Sequence, residues 1–350
     1  MKRILIALAV LLAVQVADAQ VKSPAAAAKA VTSAEAASKD AKKAAKVATW
    51  VKLAQSYMDA YNAPVGNAWI GATAQELSLL MGSEKPVSET QVELNGTPYL
   101  KVSYSNKDFY YGQDLKLAMI IVTQPVVEDA LAKSFEAWKK AYEVDAKQSK
   151  VKDINAGLAS IAQKYVGDAY NAYQFGDLAK ASKLFAAAAE VSATAPYSNL
   201  DKDALYNAGF TAWMAKDYAG AQKYFEECVA NEYYYDDGEV FAKLADIHKN
   251  LGNGEKVVAI LEEGFSKFPQ SQSILIGLIN YYLENKQDPA RLFELIDLAK
   301  QNEPNNASLY YVEGNIYKEL GAAENDEAKA ADLLAKAVAA YDACEGINAE

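Results

Sequence analysis

Histidine and cysteine, which often carry nucleophilic catalysis or bind zinc, are scarce in this sequence. The 350 residues include 1 histidine and 2 cysteines. A histidine base that activates a serine or cysteine would therefore have to be His248. Cys228 and Cys344 are accounted for by packing in the helical pattern described below, so zinc ligation has no support. No glycine-rich phosphate loop or calcium-loop spacing occurs. We therefore predict no catalytic residue, no metal and no cofactor.

Positive charge is also in short supply. Lys and Arg number 35 against 46 Asp and Glu, which gives a formal net charge of −11 at pH 7. Nucleic-acid binding needs clustered basic side chains that contact phosphates, so we expect no nucleic-acid partner. The exception is an alanine- and lysine-rich stretch at residues 20–45, which we interpret as a solvated helix or a tether. Contact of this stretch with a membrane surface or the cell wall is the alternative.

A long apolar run is missing as well. The run at the N-terminus, Ile4 to Val14, is shorter than the roughly 20 residues that a membrane-spanning helix needs. Two basic residues precede it, and the small residues of Ala17-Asp18-Ala19 follow it, an order typical of a cleaved secretory signal. We therefore predict a signal peptide at residues 1–19, a mature chain from Gln20 without a transmembrane segment, and a periplasmic location. Secretion from the cell is the alternative.

A two-helix pattern recurs along the chain, and its clearest unit is Lys202–Asn231. Apolar and small residues lie on one face of the first helix, a break follows at Lys216-Asp217-Tyr218, and Phe225 and Cys228 share one face of the second helix. Small residues let two antiparallel helices approach closely, and large residues fill the space between successive hairpins. The sequence therefore predicts stacked helical hairpins.

This unit resembles the tetratricopeptide repeat (TPR), in which small and aromatic positions alternate over two helices. The same register gives about five units over residues 160–350, with deviating spacings at Ala193–Leu200 and Ala322–Ala331 that we interpret as helix extensions or longer loops. Further breaks are predicted at Gly252, Pro269 and Pro304. The resemblance implies a mainly α fold, a right-handed α-solenoid. Cys228 and Cys344 share one small-residue position three units apart, so we expect no disulfide.

The first repeat is split in the sequence. A first-helix pattern of the form W-x-x-L-A-x-x-Y begins at Trp50, whereas the second-helix pattern returns only with Ser134, Trp138 and Ala141. We therefore assign residues 46–61 and 126–146 to one hairpin. Residues 63–125 are interpreted as a small α+β insertion between its two helices, or alternatively as part of an N-terminal subdomain that adjoins the array.

Local signals define the elements of the insertion. Thr73 and Glu76 form a capping box for a short helix that we expect to end at Met81-Gly82. Asn95-Gly96 between alternating apolar residues predicts a β-hairpin, and Leu117–Val122 predicts a strand buried on both faces. Residues Ile70–Gly82 resemble the opening of small outer-membrane lipoproteins of the SmpA/OmlA type. That resemblance implies a helix followed by a β-meander, and the lipid-bearing cysteine of those proteins is missing here.

The TPR resemblance also implies a binding surface, because the first helices of TPR arrays line a concave groove. Carried over residue by residue, the groove is aromatic in its middle and more polar toward the C-terminal side. The residues that we expect to contact a partner are Tyr170, Tyr173, Tyr206, Phe210, Trp213, Met214, Asp246, Lys249 and Tyr281. The position where a carboxylate clamp would need its first lysine is occupied by Val51, Val166, Tyr206 and Ala242. An extended segment or a partner helix docked on aromatic rings is therefore favoured.

These observations predict a non-enzymatic periplasmic scaffold that binds a peptide or helix of a partner protein. His248 occupies the aromatic position of a first helix, where Tyr57 and Tyr317 stand in other units, so we expect it to be packed. A glycan- or cell-wall-binding module is the alternative, with aromatic rings stacking on sugars. An unrecognised hydrolase is the third hypothesis, because carboxylates distant in sequence can meet in a fold.

Overall fold

The computed structural model describes residues 21–80, 84–285 and 288–349. They form fifteen helices and one four-stranded antiparallel sheet, so the mainly α fold class with a small β component is confirmed. The predicted signal peptide and the predicted helix end at Met81-Gly82 lie outside these residues. None of the described helices combines the length and apolarity needed to cross a bilayer. The chain divides into two compact units, Met1–Ala215 and Lys216–Glu350.

The first unit contains the sheet and the first eight described helices. These helices are α1 (Pro24–Lys39), α2 (Ala41–Ala44), α3 (Val47–Asn62), α4 (Ala74–Leu80), α5 (Ala130–Val144), α6 (Val151–Gln174), α7 (Leu178–Ala193) and α8 (Lys202–Met214). Helix α1 packs on α3, α3 on α5, α5 on α6, α6 on α7, and α7 on α8. Each helix therefore buries its apolar face mainly against its neighbours in the stack, as expected for hairpin repeats.

Helix α1 lies in the stretch that was expected to be a solvated helix or a tether, and one face of this helix is buried. Ser23 caps its first turn, with its hydroxyl accepting a hydrogen bond from the Ala26 amide. Its buried residues are Ala27, Val31 and Ala34. The Tyr57 hydroxyl on α3 donates to Glu35 at 2.6 Å. Small side chains on one face of α1 allow close approach to α3, so the alanine-rich composition here serves packing.

The two helices assigned to the split first hairpin pack directly against each other. Helix α3 contacts α5, and the Ser134 hydroxyl on α5 donates to the carbonyl of Ala54 on α3 at 2.9 Å. Trp138 and Ala141 are buried on the same face of α5. The chain between α3 and α5 contains helix α4 and the whole sheet. Packing of α3 on α5 therefore brings together residues about 80 positions apart in sequence.

The sheet is a meander with the strand order β1-β2-β3-β4, all antiparallel. The strands are β1 (Ser88–Leu94), β2 (Thr97–Ser103), β3 (Lys107–Tyr111) and β4 (Leu117–Val122). Asn95 and Gly96 connect β1 to β2 with φ angles of 49° and 76°, as the twist of a two-residue hairpin requires. This predicted hairpin is confirmed. Strand β4 differs from the prediction, since Leu117 and Met119 are buried and the alternate residues are half-buried.

The predicted capping box begins helix α4. The Thr73 amide donates to Glu76 Oε2 at 2.7 Å, and the Glu76 amide donates to Thr73 Oγ1 at 3.3 Å. Leu77 on α4 then packs with Phe109 and Leu117 in the core of the sheet. The capping hydrogen bonds set where α4 begins, and one apolar side chain fixes it on the sheet.

The second unit consists of a helix followed by three helical hairpins. Its helices are α9 (Tyr218–Ala230), α10 (Glu239–Asn250), α11 (Gly254–Lys267), α12 (Gln272–Asn285), α13 (Pro289–Asn302), α14 (Ala307–Ala323) and α15 (Glu327–Ala349). Helices α10 and α11, α12 and α13, and α14 and α15 pack in pairs. The predicted breaks at Gly252, Pro269 and Pro304 are confirmed. The deviating segment Ala322–Ala331 is mostly a helix extension, because α14 continues to Ala323 and α15 begins at Glu327.

Glycines at the contacts between paired helices allow this pairing. A Cβ added at Gly264 on α11 would lie 2.7 Å from the Cβ of Phe241 on α10. At Gly314 on α14, an added Cβ would lie 2.6 Å from the ring of Tyr341 on α15. Real Cβ atoms do not approach other atoms so closely. The close packing of these helix pairs therefore depends on glycine at both positions.

Candidate functional site

The predicted groove residues of helix α6 have different environments. Tyr170 is only 9% exposed, and its ring lies edge-on to that of Phe185 on α7 at a centroid distance of 5.2 Å. Tyr170 therefore packs within the hairpin, and its role as a partner contact stays a prediction. Tyr173 is half-buried, and its carbonyl accepts a hydrogen bond from the Asn95 side chain of the sheet at 3.2 Å.

Helix α8 carries a row of aromatic rings. Tyr206 stacks on Phe210 at 6.1 Å, and Phe210 contacts Trp213 at 5.9 Å. Tyr206 is 3% exposed, whereas Phe210 and Trp213 are half-buried and Met214 is 37% exposed. Accessibility therefore increases along the row toward the end of the helix. Tyr206 is the most buried ring of the row, and its role as a partner contact stays a prediction.

In the second unit, the predicted groove residue Lys249 joins the first helices of two consecutive hairpins. Lys249 lies near the end of α10, and its Nζ is 2.6 and 2.7 Å from the two carboxylate oxygens of Glu284 near the end of α12. Both side chains are more than half exposed. Tyr281, one turn before Glu284, is half-buried, with its ring edge-on to Tyr282 at 5.7 Å. Asp246 on α10 is half-buried. Equivalent positions of α10 and α12 therefore adjoin on one surface.

A polar cluster between α3 and α6 was not predicted. The Tyr61 hydroxyl donates to Asp168 Oδ1 at 2.8 Å. Burial raises the pKa of Asp168, and the hydrogen bond from Tyr61 and the charge of Lys164 offset this only in part. Burial likewise lowers the pKa of Lys164 despite the nearby carboxylate. The spacing of Lys164 and Asp168, four residues apart on one helix face, was the available sequence signal. The cluster joins two helices.

His248, which was expected to be packed, is buried, and the two cysteines are not joined by a disulfide. His248 is 3% exposed, and its Nδ1 lies 3.4 Å from Asn253 Nδ2. Burial, together with the charge of Lys256, lowers the pKa of His248, which favours the neutral ring. Cys228 is buried and Cys344 half-buried, and both are free thiols. In the part of the chain that the structure describes, no three His, Cys, Asp or Glu side chains are grouped so as to hold a metal ion.

Comparisons with known proteins find similar folds among solved structures. No family model matches the chain, and no curated protein matches it. MamA is 14% identical, over 51% of this chain and 94% of that chain, with a TM-score of 0.40. YrrB is described as a TPR protein with an unusual peptide-binding site. It is 18% identical, over 62% of this chain and 100% of that chain, with a TM-score of 0.37. A TPR repeats protein from Bacteroides fragilis is 20% identical, over 53% of this chain and 88% of that chain, with a TM-score of 0.34.

Proposed function

We propose that this chain is a non-enzymatic scaffold that binds an extended segment or helix of a partner protein across the first helices of its second unit. The contact between Lys249 on α10 and Glu284 on α12 is the observation that carries this proposal. These residues are 35 positions apart, yet they meet at equivalent places in consecutive hairpins. Helices α10 and α12 therefore present one continuous surface that a partner segment can cross.

The chemistry of this surface suits a protein partner. We assign partner contacts to Asp246, Lys249 and Tyr281. Tyr281 is three residues before Glu284 and so lies on the same face of α12. Aromatic side chains dominate the binding energy of many protein interfaces because they bury a large area with few rotatable bonds. The exposed ion pair next to Tyr281 contributes less to affinity and more to the orientation of the partner.

The first unit supplies a second set of proposed contacts. Tyr173, Phe210, Trp213 and Met214 remain assigned to partner binding, because their side chains are half-buried or exposed. The buried residues Tyr170 and Tyr206 are left out of the proposed contact surface.

We also propose that the protein acts after export to the periplasm. The support is the order of basic, apolar and small residues over positions 1–19. An exported scaffold would meet its partner outside the cytoplasm.

Site-specific photocrosslinking tests the proposed surface. A photoreactive phenylalanine analogue replaces Tyr281 of the full chain in cells that express the protein. In the matched control, the same analogue replaces Tyr224. Tyr224 is a half-buried tyrosine of α9, with the amino group of Lys223 over its ring at 5.4 Å. We expect a discrete protein adduct from position 281 and none from position 224. Mass spectrometry identifies the crosslinked segment of the partner.

An affinity measurement completes the test. The identified segment is synthesised, and its binding to the wild-type chain is compared with binding to the double variant Lys249→Ala, Tyr281→Ala and to Tyr224→Ala. We expect the double variant to bind about tenfold or more weakly and the control to bind as the wild type does. Equal adducts from both positions, or equal affinities of all three chains, would contradict the proposal. Retention on polysaccharide without any protein adduct would support the glycan-binding alternative instead.

A further inference from the structure

The second unit contains an apolar pocket that the groove prediction did not include. It lies between the end of α12, the beginning of α13 and the last turns of α14, and has a volume of about 510 Å³. Its lining residues are Tyr282, Leu283, Pro289, Leu292, Ile316, Glu319, Leu320, Ala322 and Ala323. Among the lining residues that the structure describes, Glu319 is the only charged side chain.

The extension of α14 builds one wall of the pocket. Helix α14 has 17 residues, compared with 12 in α10 and 14 in α12. The additional length carries Ala322 and Ala323, which were part of the deviating spacing in the sequence. Leu292 and Ile316 are buried, while Pro289, Ala322 and Ala323 are exposed. The pocket therefore has an apolar interior and a rim that is open to solvent.

The size of the pocket indicates more than one apolar group in its occupant. A cavity of about 150 Å³ holds a single benzene-sized ligand, and this pocket is more than three times as large. Large side chains at positions i and i+4 of a helix have Cβ atoms about 5–6 Å apart. Two such side chains, projecting from one turn of an amphipathic helix, match a pocket of this volume with an open rim.

The charge around the pocket selects a basic occupant. Residues 216–350 contain 12 Lys and Arg against 25 Asp and Glu, a formal charge of −13, whereas residues 1–215 contain 23 against 21, a formal charge of +2. The excess negative charge of the chain therefore lies in the second unit. Glu319 is exposed at the pocket, and within the described ranges no ion pair is formed by its carboxylate. A nearby cation from a partner would pair with Glu319 and be attracted by the surrounding field.

We infer that this pocket binds two apolar side chains of a basic amphipathic helix in a partner protein, with a Lys or Arg of that helix paired to Glu319. The inference rests on the proposed scaffold function and adds the chemistry of the partner. Apolar burial supplies most of the affinity. The charge supplies orientation and faster association.

A synthetic probe tests the inference on the full chain. The probe is a fluorescent helical peptide of about four turns with two leucines at i and i+4 and lysines beside them. One comparison peptide has serines in place of the leucines, and another has glutamates in place of the lysines. Fluorescence anisotropy should show saturable binding of the first peptide, with the other two bound about tenfold or more weakly.

Variants of the pocket locate the binding. Ala322→Trp fills the pocket from its rim, and Glu319→Lys reverses the charge. Ala339→Trp and Glu345→Lys are the controls, because both positions are exposed on α15 and neither lines the pocket. We expect each pocket variant to bind the leucine and lysine peptide about tenfold more weakly than the wild-type chain does. Each control should change the affinity for this peptide less than twofold. Circular dichroism verifies that all four variants keep their helix content.

The outcomes separate this inference from the proposed function. No saturable binding of the leucine and lysine peptide, or equal binding by the pocket and control variants, would overturn the inference. In either case a crosslink from position 281 would still support the scaffold. Conversely, peptide binding that depends on Ala322 and Glu319, without an adduct at position 281, would support the pocket and contradict the proposed surface on α10 and α12.

Discussion

The absence of a side chain at a single glycine can determine how closely two helices of the first unit approach each other. Gly157 and Gly167 lie on the same helix, α6, but in different surroundings. A Cβ at Gly157 would lie 2.1 Å from the indole ring of Trp138, which is buried on α5, whereas nothing lies within 4 Å of a Cβ at Gly167. The two glycines therefore have separate roles, the first in packing and the second only in backbone flexibility.

Alanine at these two positions should change stability in opposite directions. We expect Gly157→Ala to lower the free energy of unfolding by about 1–3 kcal/mol, because the Trp138 ring must move. Gly167→Ala should raise it by about 0.5–1 kcal/mol through a lower entropy of the unfolded chain. Chemical denaturation of both variants measures the difference. Equal effects of the two alanines would show that Trp138 does not limit the approach of α5 to α6.

The loop before α6 depends on the ionised form of Asp145. Its carboxylate accepts hydrogen bonds from the Ser149 amide and hydroxyl at 3.0 and 2.9 Å and from the Lys150 amide at 2.7 Å. Burial alone would raise the pKa of Asp145, but these hydrogen bonds outweigh it, so the net pKa is lowered. The stabilisation is therefore complete above the unfolded-state pKa of about 4 and disappears as the pH falls through the lowered folded-state pKa.

The Asp145→Asn variant tests this pH dependence. An amide nitrogen cannot accept the hydrogen bonds that one carboxylate oxygen now accepts, so we expect the variant to be less stable at neutral pH. Below the folded-state pKa the gap between wild type and variant should close. Thermal unfolding at several pH values measures it, with Asp342→Asn, an exposed position on α15, as the control. A gap that is independent of pH would mean that the charge of Asp145 is irrelevant.

At the scale of elements, the turn of the first β-hairpin also caps a helix. The Asn95 side-chain amide donates to the carbonyls of Tyr173 and Gln174 at the end of α6, at 3.2 and 2.9 Å. The ring of Tyr110 on β3 lies edge-on to Phe175 at 5.4 Å. Carbonyl groups at a helix end lack partners within the helix, so the sheet supplies donors that α6 requires.

Substitution of Asn95 separates its role in the turn from its role in the cap. Asn95→Gly tolerates the positive φ of 49° but cannot donate, and Asn95→Asp places a negative charge at the negative end of the helix dipole. We expect faster hydrogen exchange at Phe175, Gly176 and Asp177, larger for the aspartate variant, with unchanged exchange in β1 and β2. Faster exchange in the strands of both variants would indicate a damaged turn rather than a lost cap.

At the scale of the whole molecule, the proposed location depends on removal of residues 1–19. We expect the protein from a periplasmic fraction to have the mass of a chain that begins at Gln20. Ala19→Arg should leave the precursor uncleaved, because signal cleavage requires a small residue before the cut. Ala25→Arg, an exposed position of α1, is the control and should be processed normally. Recovery of the full-length mass from the cytoplasm with wild-type sequence would contradict export.

Features that depend on short-range spacing could be predicted from the sequence alone. The hairpin at Asn95-Gly96 and the capping box of Thr73 and Glu76 are set by residues within a few positions of each other, so neighbouring hydrogen bonds specify them. The small residue at Gly264 follows the repeat spacing, because the two helices of every hairpin pack closely at the same position. The mainly α fold class was implied by the resemblance of the repeat spacing to the tetratricopeptide repeat.

Features that depend on which element covers a side chain were decided only by the tertiary structure. Tyr206 and Phe210 lie one turn apart on α8, yet the first is buried and the second half-buried. Glu319 became a candidate site residue because α14 extends beside the α12–α13 hairpin and encloses a pocket with it. The helical period gives the direction of a side chain relative to its own helix. The burial and the partners of that side chain depend on how neighbouring helices are placed. The residue spacing within one helix does not specify that placement.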